Sequence, residues 1–149
     1  VLHIQRGKER QRIVTYLTAE ETERLRGVPP EAVVGILLDD DTFQGNAMFR
    51  EFLHETIGRV GPLDPDMQKV AAAQADGRLV FVDSRVPEEI RPVAEENILG
   101  WFQIRGGRIV AHSYLPNPNH ELRNSYGITA AIGHVREAMV AELMAREGL

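Results

Sequence analysis

Cysteine is absent from the chain. That excludes disulfides, thiol catalysis and thiolate metal sites, and removes the usual mark of an oxidising compartment. No apolar run approaches the length of a membrane-spanning helix, and Val1-Leu2-His3 does not begin a signal peptide. A cytoplasmic protein with no membrane partner is expected. The chain starts on Val1 and not on Met, which predicts that residues before it were removed or omitted. A basic block is also missing. The net charge is −5, and the one local basic run, residues 6–12, is interrupted by Gly7 and Glu9. It reads as a solvated turn, and nucleic acid is not an expected partner.

The common catalytic signatures are missing too. No serine sits in a G-x-S-x-G elbow, no P-loop or G-x-G-x-x-G follows a strand, and no H-E-x-x-H occurs. Neither a cofactor nor a metal is expected, and no enzyme class is favoured.

What is present centres on the only tryptophan. Residues 98–105 and 108–114 read as two strands closed by Gly106-Gly107, which meet the positive φ angles of a two-residue hairpin turn. Pairing Arg105 with Arg108 sets Ile104 against Ile109, Trp101 against His112 and Leu99 against Tyr114. Side chains alternate across a strand. Ile98, Phe102, Ile104, Ile109 and Ala111 then share a core face, and Leu99, Trp101, Val110, His112 and Tyr114 share the other.

The rest of the chain supplies strands at 2–5, 12–17, 32–38 and 78–83. Thr18 and Glu21 form a capping box that opens a short helix stopping at Gly27. Asp39, Asp40 and Asp41 lack calcium-loop spacing and are expected to cap a helix over 46–59, with Met48, Phe49, Phe52, Leu53, Ile57 and Val60 on its buried side. Asp64-Pro65 starts a helix to about 75 with Met67, Val70, Ala71 and Gln74 inward. Residues 115–120 are too rich in proline to be regular. A last helix over 129–146 carries an apolar arc (Ile132, Val135, Met139, Leu143, flanked by Val140 and Met144) wide enough to predict a second copy against it.

Two blocks repeat in outline. Residues 12–18 resemble 78–84, and 31–37 resemble 96–102, at offsets of 66 and 65. An internal duplication over about 12–77 and 78–149 is the reading. It sets Gly35 beside Gly100, where a backbone or a large ring must approach closely, and Ile36 beside Trp101.

These readings predict one α+β domain with a mixed, mainly antiparallel sheet of five or six strands and helices packed on it. The expected function is a non-catalytic ligand- or protein-binding or assembly module, homodimeric, with room for a small-molecule ligand. Candidate ligand-binding residues are Trp101, His112, Tyr114, Asn117, Asn119, His120, Asp83 and Arg85, where imidazoles, carboxylate and stiff Pro-Asn turns cluster. The alternative is a small hydrolase-like or metal-assisted enzyme acting around Asp83, His112, Tyr114 and His120, which requires those four groups to line one pocket.

Overall fold

The computed structural model describes residues 3–6 and 12–149. The fold mixes helix and strand, with antiparallel sheets and four helices. It forms two compact units. One holds the described residues up to Leu53 together with Leu122–Leu149, and the other is His54–Glu121.

The first unit begins with strands β1 (His3–Arg6) and β2 (Arg12–Thr15), followed by helix α1 (Ala19–Arg24), strands β3 (Val33–Leu37) and β4 (Phe43–Gly45), and helix α2 (Ala47–Val60), within which the two units divide. The capping box forms as expected: the Glu21 amide donates to Thr18 Oγ1 at 3.1 Å, and the Thr18 amide donates to Glu21 Oε1 at 2.9 Å. The sheet order is β1-β2-β3-β4.

The three aspartates do not cap α2. They make the β3–β4 turn, where the Leu38 amide donates to Thr42 at 2.9 Å and Asp41 adopts φ +65°. Asp and Asn tolerate that left-handed conformation better than most residues do. Two hydrogen bonds from Thr42 hold the Asp40 carboxyl below its ordinary pKa. The residue that caps α2 is Asn46, whose Oδ1 accepts from the Met48 amide at 3.1 Å. Phe49, Phe52, Leu53 and Ile57 are buried on α2, whereas Met48 is 47 % exposed.

The chain returns to the first unit through the ribbon β9 (Arg123–Asn124) and β10 (Gly127–Ile128), then helix α4 (Gly133–Arg146). On α4, Met139, Leu143 and Met144 are buried, and Val135 and Val140 are half-buried. The flank expected to meet a second copy is thus largely covered within the chain. Ile132 precedes the helix and is exposed.

The second unit holds helix α3 (Pro65–Gln74) and strands β5 (Gly77–Val82), β6 (Ile98–Arg105), β7 (Arg108–Ile109) and β8 (Leu115–Pro116). Asp64 caps α3, with its Oδ1 accepting from the Asp66 amide at 2.9 Å; Met67 and Ala71 are buried, but Val70 is exposed. Strand β6 pairs with β5 on one side and with β7 and β8 on the other.

One sheet of five or six strands does not form. The described strands make two four-stranded sheets and a two-stranded ribbon, every described pairing antiparallel. The cause is local. The aspartate turn folds β4 back onto β3, and β7 and β8 fold back onto β6, so each inner strand is satisfied by its own hairpin.

The glycine turn lies where expected, with φ +57° at Gly106 and +74° at Gly107, Arg105 opposite Arg108 and Ile104 opposite Ile109. Beyond Val110 the ladder breaks. His112 takes φ +60°, residues 110–113 turn out of the sheet, and the chain returns with Leu115 opposite Trp101 and Pro116 opposite Gly100. Trp101 therefore does not face His112. Pro116 occupies a short outer strand, where proline is tolerated because it lacks only a donor. Phe102 and Ile104 are buried as expected, Trp101 is half-exposed, and Ala111 is exposed.

One backbone device occurs in both units. Asn46 donates from Nδ2 to the carbonyls of Pro30 and Val33, each at 2.8 Å, and from its amide to Val34 at 3.0 Å. Asn117 donates from Nδ2 to Glu95 at 2.8 Å and Ile98 at 2.9 Å, and from its amide to Leu99 at 2.9 Å. Each Oδ1 accepts from the amide two residues on. In each unit a strand shifts register beside these bonds, at Val14/Thr15 and at Phe81/Val82. A ring and a carbonyl close over a glycine in both. A Cβ on Gly35 would lie 2.3 Å from the Phe43 ring, and one on Gly100 would lie 2.4 Å from the Leu115 carbonyl and 2.6 Å from the Tyr114 ring.

Candidate functional site

The residues singled out from the sequence separate into three places. The first is a closed polar knot that follows β5. Asp83 Oδ2 accepts from His120 Nε2 at 2.8 Å and pairs with Arg85 Nε at 3.2 Å, and Asp83 Oδ1 accepts from the Arg85 amide at 3.1 Å. The Arg85 guanidinium also donates to the Glu121 carbonyl. Side-chain exposure is 2 % for Asp83, 0 % for His120 and 6 % for Arg85. Burial pulls the guanidinium pKa down, and the charges of Asp83, Glu121 and Glu96 pull it back up. Asn117, also buried, and Asn119, which donates to Glu95 Oε1 at 2.9 Å, belong to the same loop. These contacts tie residues 117–121 to the segments around 83–85 and 95–98.

The second place is an open cleft of about 650 Å³. One wall is α2 and the 3₁₀ turn Gly61–Leu63, with His54, Gly58, Arg59 and Leu63; the other is the 109–114 return, with His112 and Tyr114. Tyr114 Oη donates to the Leu99 carbonyl at 3.2 Å, so in the 2.7 Å contact with His54 it is Nδ1 of the imidazole that donates. The two rings stack at 5.8 Å, and Tyr114 packs on Phe102 at 4.9 Å. His112 and Arg59 are exposed in the walls, and His54 is half-buried.

Sequence reading missed His54. The only signal for it is helical spacing: Gly58, one turn on, leaves room for the Tyr114 ring, which a Cβ there would meet at 3.4 Å. Asp83 and His120 are not part of the cleft lining. The four groups that the enzyme reading requires in one pocket are therefore divided between a sealed knot and an open cleft. Among the described residues, no group of three or more His, Asp or Glu converges on a metal position.

The third place is the outer face of β6. Trp101 stands there with the Arg78 guanidinium 5.3 Å from its ring centre and with Leu115, not His112, opposite it.

Two phenols, Tyr16 fully buried and Tyr114 half-buried, allow a pH test. Burial pushes Tyr114 well above the ordinary tyrosine pKa. It does the same to Tyr16, with Glu31 adding to the rise and Arg136 opposing it; among the described residues the Tyr16 hydroxyl has no hydrogen-bond partner. A raised native pKa means that the folded state keeps protons the unfolded chain releases above about pH 10. Stability from these groups is thus complete below that pH and declines as pH rises beyond it. In an alkaline titration, the tyrosinate absorbance of two of the three tyrosines should develop together with loss of the far-UV dichroism. Ionisation of all three in an intact fold would contradict this.

No protein-family model, curated protein or solved structure matches this chain.

Proposed function

We propose that the chain is a non-catalytic binding module, and that its ligand site is the cleft between α2 and the 109–114 return. The ligand class is a small organic molecule with an apolar body and an acidic head. The observation that carries this is the burial of the Asp83–His120 pair: its side chains are 2 % and 0 % exposed, so no substrate reaches the one close carboxylate–imidazole pair of the candidate set. The cleft volume falls within the range of small-molecule sites, about 300–1,000 Å³. Pro62, Leu63, Ile109 and Ala111 supply apolar wall, and Arg59 and His112, both exposed, supply donors for an acid. The left-handed backbone at His112 is strained for a residue with a side chain, a feature that concentrates at ligand sites. The enzyme reading keeps only the His54–Tyr114 pair as support.

A duplication belongs to the same proposal, with the 109–114 wall of the cleft formed by the second copy of the arrangement. Its support is the shared asparagine device, the paired register shifts and the matched glycines. Its boundaries differ from those read in the sequence. Val14 opposite Gly35 corresponds to Phe81 opposite Gly100, an offset of 67 for the first strand, and the second copy ends near Asn119 because 122–149 belongs to the first unit.

Ligand-observed NMR with a set of aromatic and aliphatic carboxylic acids tests the site. Acids that bind wild type should bind His112→Asn and Leu63→Asp at least about tenfold more weakly, about 1.4 kcal/mol, with thermal unfolding unchanged. Asparagine tolerates the His112 backbone, and Leu63 is 70 % exposed. Absence of any binding acid, or equal binding to both variants, would refute the site.

A further inference from the structure

We propose that the outer face of the four-stranded sheet of β5, β6, β7 and β8 docks an extended acidic peptide carrying one apolar anchor residue. Cross-strand register builds this face, which stands apart from the cleft. Val80, Trp101 and Leu115 lie directly opposite one another across three strands, with Val80 44 % and Leu115 54 % exposed. Together with Arg78 and Gln103, Trp101 and Leu115 line a depression of about 340 Å³. In the next row Arg78 is opposite Gln103, and at the hairpin end Arg105 is opposite Arg108. Alternation sets Trp101, Gln103 and Arg105 on one face, away from buried Phe102 and Ile104.

The charge arrangement selects the partner. Among the described residues, none of Arg78, Arg105 and Arg108 is ion-paired, although the chain carries a net charge of −5. Like charges directly opposite each other destabilise a strand pair, so Arg105 and Arg108 burden their own hairpin until an anion lies between them. The nearby Asp76 carboxylate accepts from the Gly106 amide at 3.1 Å, which holds the turn. Alternate positions on β6 are about 6.8 Å apart, the same repeat as in an extended peptide. A peptide laid along β6 thus sets an apolar side chain over the Trp101 row, an acid two residues on beside Arg78, and another acid two further on at Arg105 and Arg108. Aliphatic Val80 and Leu115 flank the single ring, whereas single-stranded nucleic acid needs successive aromatic platforms for its bases.

The experiment uses the whole chain and a short synthetic peptide with one leucine and glutamates at the second and fourth positions after it. The fluorescence of Trp101, the only tryptophan, reads binding. A saturable change is expected, weakened by salt and absent for the same peptide with glutamines in place of glutamates. Arg108→Glu sets a carboxylate opposite Arg105. It should leave the unfolding temperature unchanged or raised while peptide affinity falls at least about tenfold. A loss of binding with a gain in stability separates docking from misfolding. Absence of a saturable response, unchanged affinity in Arg108→Glu, or equal or tighter binding of a single-stranded oligonucleotide would overturn the proposal.

Discussion

Asp83→Ala is expected to destabilise the second unit by about 3–5 kcal/mol, the range for removing one partner of a buried ion pair. The mechanism is the loss of the nearest countercharge in a buried site. Arg85 keeps its guanidinium at 6 % side-chain exposure, and His120 loses the acceptor of its Nε2 proton. Urea unfolding followed by Trp101 fluorescence reads the effect, because the ring lies in the same unit. Asp83→Asn retains the shape and an oxygen acceptor but not the charge, so it should fall between wild type and Asp83→Ala. Replacing the pair by apolar residues, Asp83→Leu with Arg85→Met, should recover part of the loss, since such replacements are often near neutral. A change under about 1 kcal/mol for Asp83→Ala would mean that the knot opens to solvent, and would restore it as a candidate reactive site.

Asn117→Ala is expected to cost about 2–4 kcal/mol, and Asn46→Ala less in the same direction. Alanine at 117 strands the carbonyls of Glu95 and Ile98 and the amide of Asn119. Each buried polar group left unsatisfied costs about 1–3 kcal/mol. Asn117 is 1 % exposed whereas Asn46 is only partly covered, so solvent replaces the lost bonds less readily at 117 than at 46. Aspartate at 117 should be nearly as damaging, because its carboxylate has no N–H for the two carbonyls. Melting temperatures of Asn117→Ala, Asn117→Asp and Asn46→Ala decide this. A neutral Asn117→Ala would remove the shared device from the account of the fold.

Local chemistry was legible wherever a residue acts on its immediate neighbours. Thr18 with Glu21, Asp64 before Pro65, and Gly106-Gly107 each act within a few residues, and each stands where sequence reasoning set it. The aspartates at 39–41 were misread because acids favour turns and helix starts alike. Only the pairing of Phe43-Gln44-Gly45 with β3 distinguishes the two. Met48 and Val70 lie within apolar periodicities that extend beyond the surface their helices bury.

The candidate site was legible only in parts. Sequence reasoning grouped Asp83, His112, Tyr114 and His120 on the assumption that the ladder continues past Val110. The turn at 110–113 inserts residues between β7 and β8. His112 and Tyr114 then go to the cleft, and Leu115 comes to Trp101. No pattern in the sequence marks that exit, because Ser113 imitates a strand bond: its Oγ accepts from the Gln103 amide at 3.0 Å.

What the sequence determined alone is the set of structures closed by short-range bonds, namely helix caps, the glycine turn and the helices and longer strands that these signals bound. The backbone geometry behind them is dictated by residues no more than a turn apart. Tertiary structure decided how strands distribute among sheets, that a carboxylate–imidazole pair is sealed and not open, and that His54 meets Tyr114 across 60 residues of chain. Those outcomes depend on which distant surfaces exclude water from one another, and neighbouring residues carry no record of that competition.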